Sequence, residues 1–242
     1  VTGKKDSRKA VSRAPKQVVS PNRWLMLVGL ASAFGLLLGA GMIALSLMSV
    51  SSAPATVAPT VKGQDPAGLD RRTKGSPDAP VVLTEWSDYQ CPACARVAIT
   101  RDPILEQMYA DTGKVRFVYR NLPFLGPESF LAAEAAECAA DQGRYWDYRN
   151  LLFQRQQGEN RGAFSAEKLK GFAAELGLDV ATFSASLDQG KHRAAIQAEA
   201  MEGDLLKIDA TPTYFINGRM IDGLPTVEAL QKLIEEELAK KP

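Results

Sequence analysis

The segment Cys91-Pro92-Ala93-Cys94 constrains this chain more than any other. It follows the apolar run Val81-Val82-Leu83 and opens a stretch of helix-forming residues, which puts the pair between the end of a strand and the start of a helix. A sulfur at a helix N-terminus meets unpaired backbone N–H groups and the positive end of the helix dipole, and both favour its thiolate. The thiolate is the form that attacks disulfides, so the motif reads as a redox-active dithiol. A zinc site is the weaker reading. One such pair leaves a tetrahedral shell half empty, and the only histidine is His192.

Charge is spread unevenly. Residues 1–23 carry seven Lys or Arg against Asp6 alone, whereas residues 75–242 carry 18 basic and 25 acidic groups. An acidic globular part lacks the basic face that nucleic-acid binding needs, so no nucleic-acid partner is expected. From Trp24 to Met48 the chain has no charge, and none follows until Lys62. At about 1.5 Å per residue this run reaches about 37 Å as a helix, enough to cross a hydrocarbon core of about 30 Å with some tilt. The positive-inside rule then makes 1–23 a basic cytoplasmic tail, 24–48 a transmembrane helix, and everything after Met48 extracytoplasmic. A cleaved signal peptide ending near Ala53-Pro54-Ala55 competes with this reading, but the apolar run is longer than the usual signal core of about 7–15 residues. Export also bears on the cysteines. A disulfide closing so short a loop does little to staple a fold, which favours chemistry over structure.

Residues 49–74, rich in Ser, Ala, Pro, Thr and Gly, read as a flexible linker reaching at most about 80 Å. The globular part is expected over 75–242. Val81 to Glu85 reads as a buried strand, and the cysteine pair opens a helix running to about Asp111. A second strand follows at Val115 to Tyr119, an order that suggests a parallel βαβ unit. Residues from about 127 to 206 read as an all-helical insertion, punctuated by Gly143, Gly158, Gly162, Gly177 and Gly190. A hairpin returns at Thr213 to Ile216 and Arg219 to Ile221 around Asn217-Gly218, and a last amphipathic helix spans about Thr226 to Ala239. Cys138, on an Ala-rich helix, reads as a small buried hydrophobe, and His192 as a solvated helix residue.

The run Glu85-Trp86-Ser87-Asp88-Tyr89-Gln90-Cys91-Pro92-Ala93-Cys94, with Ala210-Thr211-Pro212-Thr213-Tyr214-Phe215-Ile216-Asn217-Gly218 far downstream, resembles the DsbA-like thiol–disulfide oxidoreductases, in particular their membrane-tethered members. The resemblance covers roughly residues 75–240. It implies an α/β thioredoxin-like fold with an all-helical insertion, here preceded by one N-terminal transmembrane helix. It also implies that Cys91 is the exposed nucleophile forming the mixed disulfide and Cys94 the more buried resolving thiol. Pro212 would match the family's cis-proline, with Thr211 presenting backbone groups to an extended substrate segment. Glu85 lies where the family often places a buried carboxylate; a proton acceptor for Cys94 and a solvent-exposed strand residue are both open readings. Trp86, Asp88 and Tyr89 are expected to shape the surface around the motif. Residue 93 is Ala, so the motif has no histidine to stabilise the Cys91 thiolate.

The expected activity is thiol–disulfide exchange, run as an oxidase that donates the Cys91–Cys94 disulfide to exported proteins bearing thiols. A quinone-linked thiol oxidase in the membrane would regenerate it, as the resemblance implies. No cofactor and no metal is expected, because the dithiol itself carries two electrons. A reductase of the same fold, serving for example cytochrome c maturation, is the nearest alternative, and thiolate electrostatics rather than sequence decides between them. A Cu(I)-handling module and a tethered peptide-binding domain are further alternatives.

Overall fold

The computed structural model describes residues 69–240, so the expected tail, transmembrane helix and most of the linker lie outside the described residues. Among the described residues no helix is long and apolar enough to cross a membrane. Ahead of Gly75 the described residues already form a 3-10 turn at Leu69–Arg72 and strand β1 at Thr73–Lys74. β1 is too short for any periodicity to announce it, and its place comes from antiparallel pairing with β3 (Val115–Asn121).

The central strand is β2, Val81–Ser87. It pairs in parallel with β3 and in antiparallel with β4 (Thr213–Ile216), and β4 pairs with β5 (Arg219–Ile221), giving the order β1-β3-β2-β4-β5. A strand flanked on both edges and covered on both faces at its C-terminal end buries that end fully, which is why Trp86 and Glu85 are both almost inaccessible while Val82 and Thr84 are only partly buried. The hairpin turn falls on Asn217 and Gly218, both at positive φ, as a two-residue hairpin requires.

The helix expected from the cysteines to Asp111 is broken. Helix α1 covers Pro92–Thr100, α2 covers Asp102–Leu105, and a π-helical turn covers Glu106–Ala110. Pro103 supplies the physical reason, since it has no N–H to continue the first helix and its ring crowds the preceding turn. The insertion contains α3 (Pro127–Ala140), α4 (Tyr145–Gln154), α5 (Ala166–Glu175), α6 (Val180–Asp188) and α7 (Arg193–Leu205). α3 is buried on nearly every side, and its Ala132, Ala133, Ala135, Ala136, Ala139 and Ala140 let neighbouring helices approach closely. Cys138 packs among them as a small hydrophobe at 2% exposure. The final helix, α8 at Val227–Ala239, is capped by the Thr226 hydroxyl and seats Leu230 and Ile234 against a second core with Val81, Leu83, Val115 and Ile216.

Gly75 has φ +93°, and a Cβ there would lie 2.2 Å from the carbonyl oxygen of Val115. Neither the left-handed backbone nor a fixed strand carbonyl can yield cheaply. Gly75→Ala is therefore expected to lower stability by about 1–3 kcal/mol, read as a lower urea midpoint at unchanged m-value. An unchanged midpoint would show that the β1–β3 junction is softer than its geometry implies.

Candidate active site

Cys91 is the N-cap of α1, with extended backbone (φ −74°, ψ 119°) and Pro92 at the first helical position. Proline is at home there because its φ is already helical and its missing N–H has no helical partner to lose. The Cys94 backbone N–H donates to Cys91 Sγ at 3.3 Å, the bond a capping serine or aspartate oxygen usually accepts. The Cys91 thiol pKa falls from 9.0 to about 6. The Cys94 side chain contributes most, burial opposes, and the Thr211 hydroxyl and the N–H groups of Cys94 and Ala93 add to the lowering. Cys94 moves the other way, its thiol held strongly protonated by complete burial and by Cys91 beside it. The two sulfurs are thus poised apart, one as an anion at neutral pH and one as a neutral thiol. All three cysteines are free thiols in this structure.

Thr211 and Pro212 close over the same sulfur. The Thr211–Pro212 peptide is cis, and the Cys91 thiol donates to the Thr211 carbonyl at 3.2 Å. The Thr211 hydroxyl is buried and has no partner in this arrangement, which leaves it able to donate to the sulfur once the thiol proton is gone. One expectation needs correcting here: Cys91 is only 7% exposed, not an open nucleophile. The Thr211 carbonyl lies against its sulfur, and the Gln156 amide holds the adjoining backbone by donating to the carbonyls of Tyr89 and Cys91.

Glu85 is buried at 8% exposure, which removes the solvent-exposed reading. In β2 it lies between Tyr119 of β3 and Tyr214 of β4. Its carboxyl pKa is pushed up to about 8, by burial first and then by Asp102, with Arg149, Arg101 and the Ser87 hydroxyl opposing. Arg149 of α4 lies 3.6 Å from Glu85 and 2.9 Å from Asp102, and its guanidinium rests on the rings of Tyr119, Phe153 and Trp146. Burial works against that positive charge, but Glu85 and Asp102 outweigh it. Arg101 bonds the Tyr214 hydroxyl and the Pro225 carbonyl. Among the described residues no group of three or more His, Cys, Asp or Glu side chains is placed to hold a metal ion.

A family model described as thioredoxin matches residues 69–236, most of the chain. The probable disulfide bond formation protein D of Bacillus anthracis is 30% identical over 174 residues, covering 70% of this chain and 79% of that protein. The chain belongs to the thioredoxin family, among its DsbA-like thiol–disulfide oxidoreductases. The crystal structure of oxidised BdbD from Bacillus subtilis superposes with a TM-score of 0.66 at 27% identity, covering 71% of this chain and 94% of that one. The α-DsbA1 of Wolbachia pipientis, 21% identical with a TM-score of 0.63, shares the fold. A different kind of relative is the Na(+)/H(+) antiporter NhaA 1 of Salinispora arenicola, 34% identical over 177 residues. The match takes in 72% of this chain but 26% of the antiporter, so the chain spans about a quarter of the length of that protein.

Three flanking residues of this thioredoxin-family domain do not shape its surface as the sequence suggested; they lie inside it. Trp86 packs with Leu122, Ile208 and Phe215, and Tyr89 sits at 1% exposure with its hydroxyl 3.2 Å from that of Tyr145. Asp88 is a buried anchor. Its carboxylate accepts from Gln90 N, the Ser129 hydroxyl, Phe124 N and Leu125 N, tying the turn before Cys91 to the β3–α3 loop and to α3. Burial nevertheless raises its pKa, with those donors pulling the other way. His192, expected in solvent, precedes α7 with a side chain 12% exposed and bonded to Asp141 at 2.8 Å. Sequence reasoning passed over Ser87, Asp102, Arg149 and Gln156. The last two come from the insertion, and nothing local to them points at the cysteines.

Proposed function

We propose that this chain is a membrane-anchored, extracytoplasmic dithiol oxidase that passes the Cys91–Cys94 disulfide to exported proteins. The observation that carries the reading is the stabilised Cys91 sulfur at the N-terminus of α1, set beside the protonated Cys94 and under the Thr211 carbonyl. A substrate thiolate attacks Cys91, the substrate–Cys91 bond forms, and the Cys91–Cys94 bond breaks. A second substrate thiolate then attacks its own mixed-disulfide sulfur and releases Cys91 as a thiolate. A leaving group stabilised as an anion speeds that release. The exposed Ala210 and the partly buried Thr211 beside the sulfur offer a place for an extended substrate, and the half-exposed Phe124, whose N–H is held by Asp88, offers it apolar contact.

The same sulfur supports the oxidising direction. At pH 7 a thiol pKa near 6 instead of 9.0 favours the dithiol over the disulfide by about 1.4 kcal/mol, about 30 mV toward oxidising power. The effect grows as pH rises toward 9 and vanishes as it falls below 6, since only the thiolate is stabilised. The names of the Bacillus relatives, disulfide bond formation proteins, support the oxidase direction. Anchoring rests on the charge-free run 24–48 behind a basic tail, and that orientation would put the domain where a quinone-linked thiol oxidase could regenerate it.

Equilibration with glutathione buffers tests the direction. The expected potential lies between about −270 mV, the thioredoxin value, and about −120 mV, that of the strong oxidant DsbA. A value at or below thioredoxin's would make the reductase reading the correct one.

A further inference from the structure

The turn that carries Cys91 is held by the helical insertion. Residues 88–91 form a β-turn closed by the Cys91 N–H on the Asp88 carbonyl at 3.0 Å. Gln156, the second residue after α4, donates from its one amide nitrogen to the carbonyls of both Tyr89 and Cys91, the latter at 2.9 Å. An amide nitrogen has two N–H donors, and a carbonyl oxygen has two lone pairs. The Cys91 carbonyl therefore keeps its helical bond from the Ala95 N–H, at 3.1 Å, and takes Gln156 as well. Gln90, between the two clamped carbonyls, returns the contact. It is 1% exposed, and its side chain accepts from Asn160 N at 2.6 Å and donates to the Ser129 hydroxyl at 2.8 Å. Further along the same loop the Glu128 carboxylate accepts from Gly162 N and Phe164 N, and Phe164 is fully buried. The loop that presents Gln156 is thus secured at both ends, by the last turn of α4 and by Phe164.

Two consequences bear on the sulfur. The carbonyl oxygen of Cys91 is the negative end of a dipole only a few bonds from Sγ, where it disfavours a thiolate, and an N–H bound to that oxygen offsets part of the effect. The clamp also keeps Cys91 in the extended backbone of an N-cap, with its sulfur against the Cys94 N–H at 3.3 Å. The groups that lower the Cys91 pKa most are uncharged: the Cys94 side chain first, then, against burial, the Thr211 hydroxyl and the N–H groups of Cys94 and Ala93. With dipoles rather than a cation setting the ionisation, one further amide acts on the same scale.

We propose that Gln156 is a positioning residue of the disulfide exchange: by clamping the Tyr89 and Cys91 carbonyls it keeps the Cys91 sulfur on the N-terminus of α1 and shields its anion from their negative ends. The helical insertion then sets the oxidising strength of the dithiol. The inference rests on the dithiol-exchange reading above. Only the reduced protein holds the Cys91 thiolate, so a donor that favours this anion stabilises the reduced form and makes the disulfide a stronger oxidant. Gln156 is only partly buried and its neighbours Arg155 and Gln157 are exposed, so replacing it opens no core.

The test sets Gln156→Met, which keeps the length of the side chain and removes the donor, against the unmodified protein. Thiolate absorbance is followed with pH, and each protein is equilibrated with glutathione at pH 7. In the variant the Cys91 midpoint is expected to rise from about 6 to about 7. The equilibrium should then move about fivefold away from the reduced dithiol, about 20 mV toward the reducing side. Gln156→Glu, of the same shape but without a donor when ionised, should raise the midpoint at least as far. Gln156→Lys, which brings N–H donors back within reach of the carbonyls, should return it to about 6 or below. Urea unfolding of the oxidised forms, which hold no thiolate at Cys91, is the control: a side chain that only packs the loop would lower their midpoints and leave the titration alone. A Cys91 ionisation that stays near 6 in Gln156→Met and Gln156→Glu, or that rises equally in Gln156→Lys, overturns the role of the donor. If the unmodified protein neither ionises near 6 nor exchanges with glutathione, the oxidoreductase reading fails instead, and the two failures are distinct.

Discussion

Cys91→Ser abolishes disulfide transfer while leaving the domain folded. The loss is expected to be complete, because an oxygen in place of the sulfur can neither form the mixed disulfide nor carry the two electrons of the exchange. A pKa near 6 makes Cys91 about nine-tenths thiolate at pH 7, whereas an ordinary thiol is ionised to only a few per cent. Activity against a dithiol peptide should therefore drop to the uncatalysed background, a loss of at least about 1,000-fold. Stability should hold, since serine is among the best residues for the helix N-cap that Cys91 occupies. Cys94→Ala should behave differently. It leaves the nucleophile in place and removes the thiol that releases a trapped partner, so covalent complexes should accumulate on non-reducing gels. Both variants lack the Cys91–Cys94 disulfide and should fall to the same background in transfer, so the trapped complexes are the readout: equal amounts of them in the two variants would contradict the division of labour between the sulfurs.

The largest expected loss of stability belongs to Arg149→Met. Its guanidinium is the closest cation to both Glu85 and Asp102, and all three side chains are buried. Removing one partner from a buried ion pair typically costs about 3–5 kcal/mol, because the remaining charges are left without compensation. The pH dependence has a definite sign. The Glu85 carboxyl keeps its proton in the native state up to about pH 8 with Arg149 in place, and to higher pH still without that opposing cation, so the two native states come to differ in protons held by Glu85 only above about 8. The gap between unmodified protein and variant should thus hold steady between about pH 5 and 7 and widen above about pH 8, measured by urea unfolding at each pH. A gap that is constant with pH would mean that Arg149 acts through packing on Tyr119, Phe153 and Trp146 rather than through charge.

The parts of the fold that announce themselves locally were legible. The run Val81-Val82-Leu83 marked the central strand, Asn217-Gly218 marked the hairpin, and the glycines at 143, 177 and 190, all at positive φ, mark the ends of α3, α5 and α6 in the insertion. Cys91, Cys94, Thr211 and Pro212 lie together in the structure as the quoted motifs suggested, although 120 residues separate Cys91 from Thr211. What stayed hidden depends on pairing across long separations. β1 has only two residues, and a strand that short exists by virtue of its partner β3. Arg149 reaches Asp102 across 47 residues and Gln156 reaches Cys91 across 65, and neither has a neighbour in sequence that hints at the contact. Asp88 looked like a surface residue because an acidic side chain usually is one; four donors from two loops and helix α3 make its burial tolerable. The break before Pro103 could have been read, and a proline inside an otherwise helical pattern was the signal.

The chemistry of this site turns on a single ionisation. Reduced protein titrated by thiolate ultraviolet absorbance, alongside the pH dependence of alkylation, should show one thiolate forming with a midpoint near 6, assigned to Cys91 by its loss in Cys91→Ser, and no second one up to pH 9. A Cys91 midpoint at the ordinary thiol value of about 8.5, or two sulfurs ionising together, would contradict it.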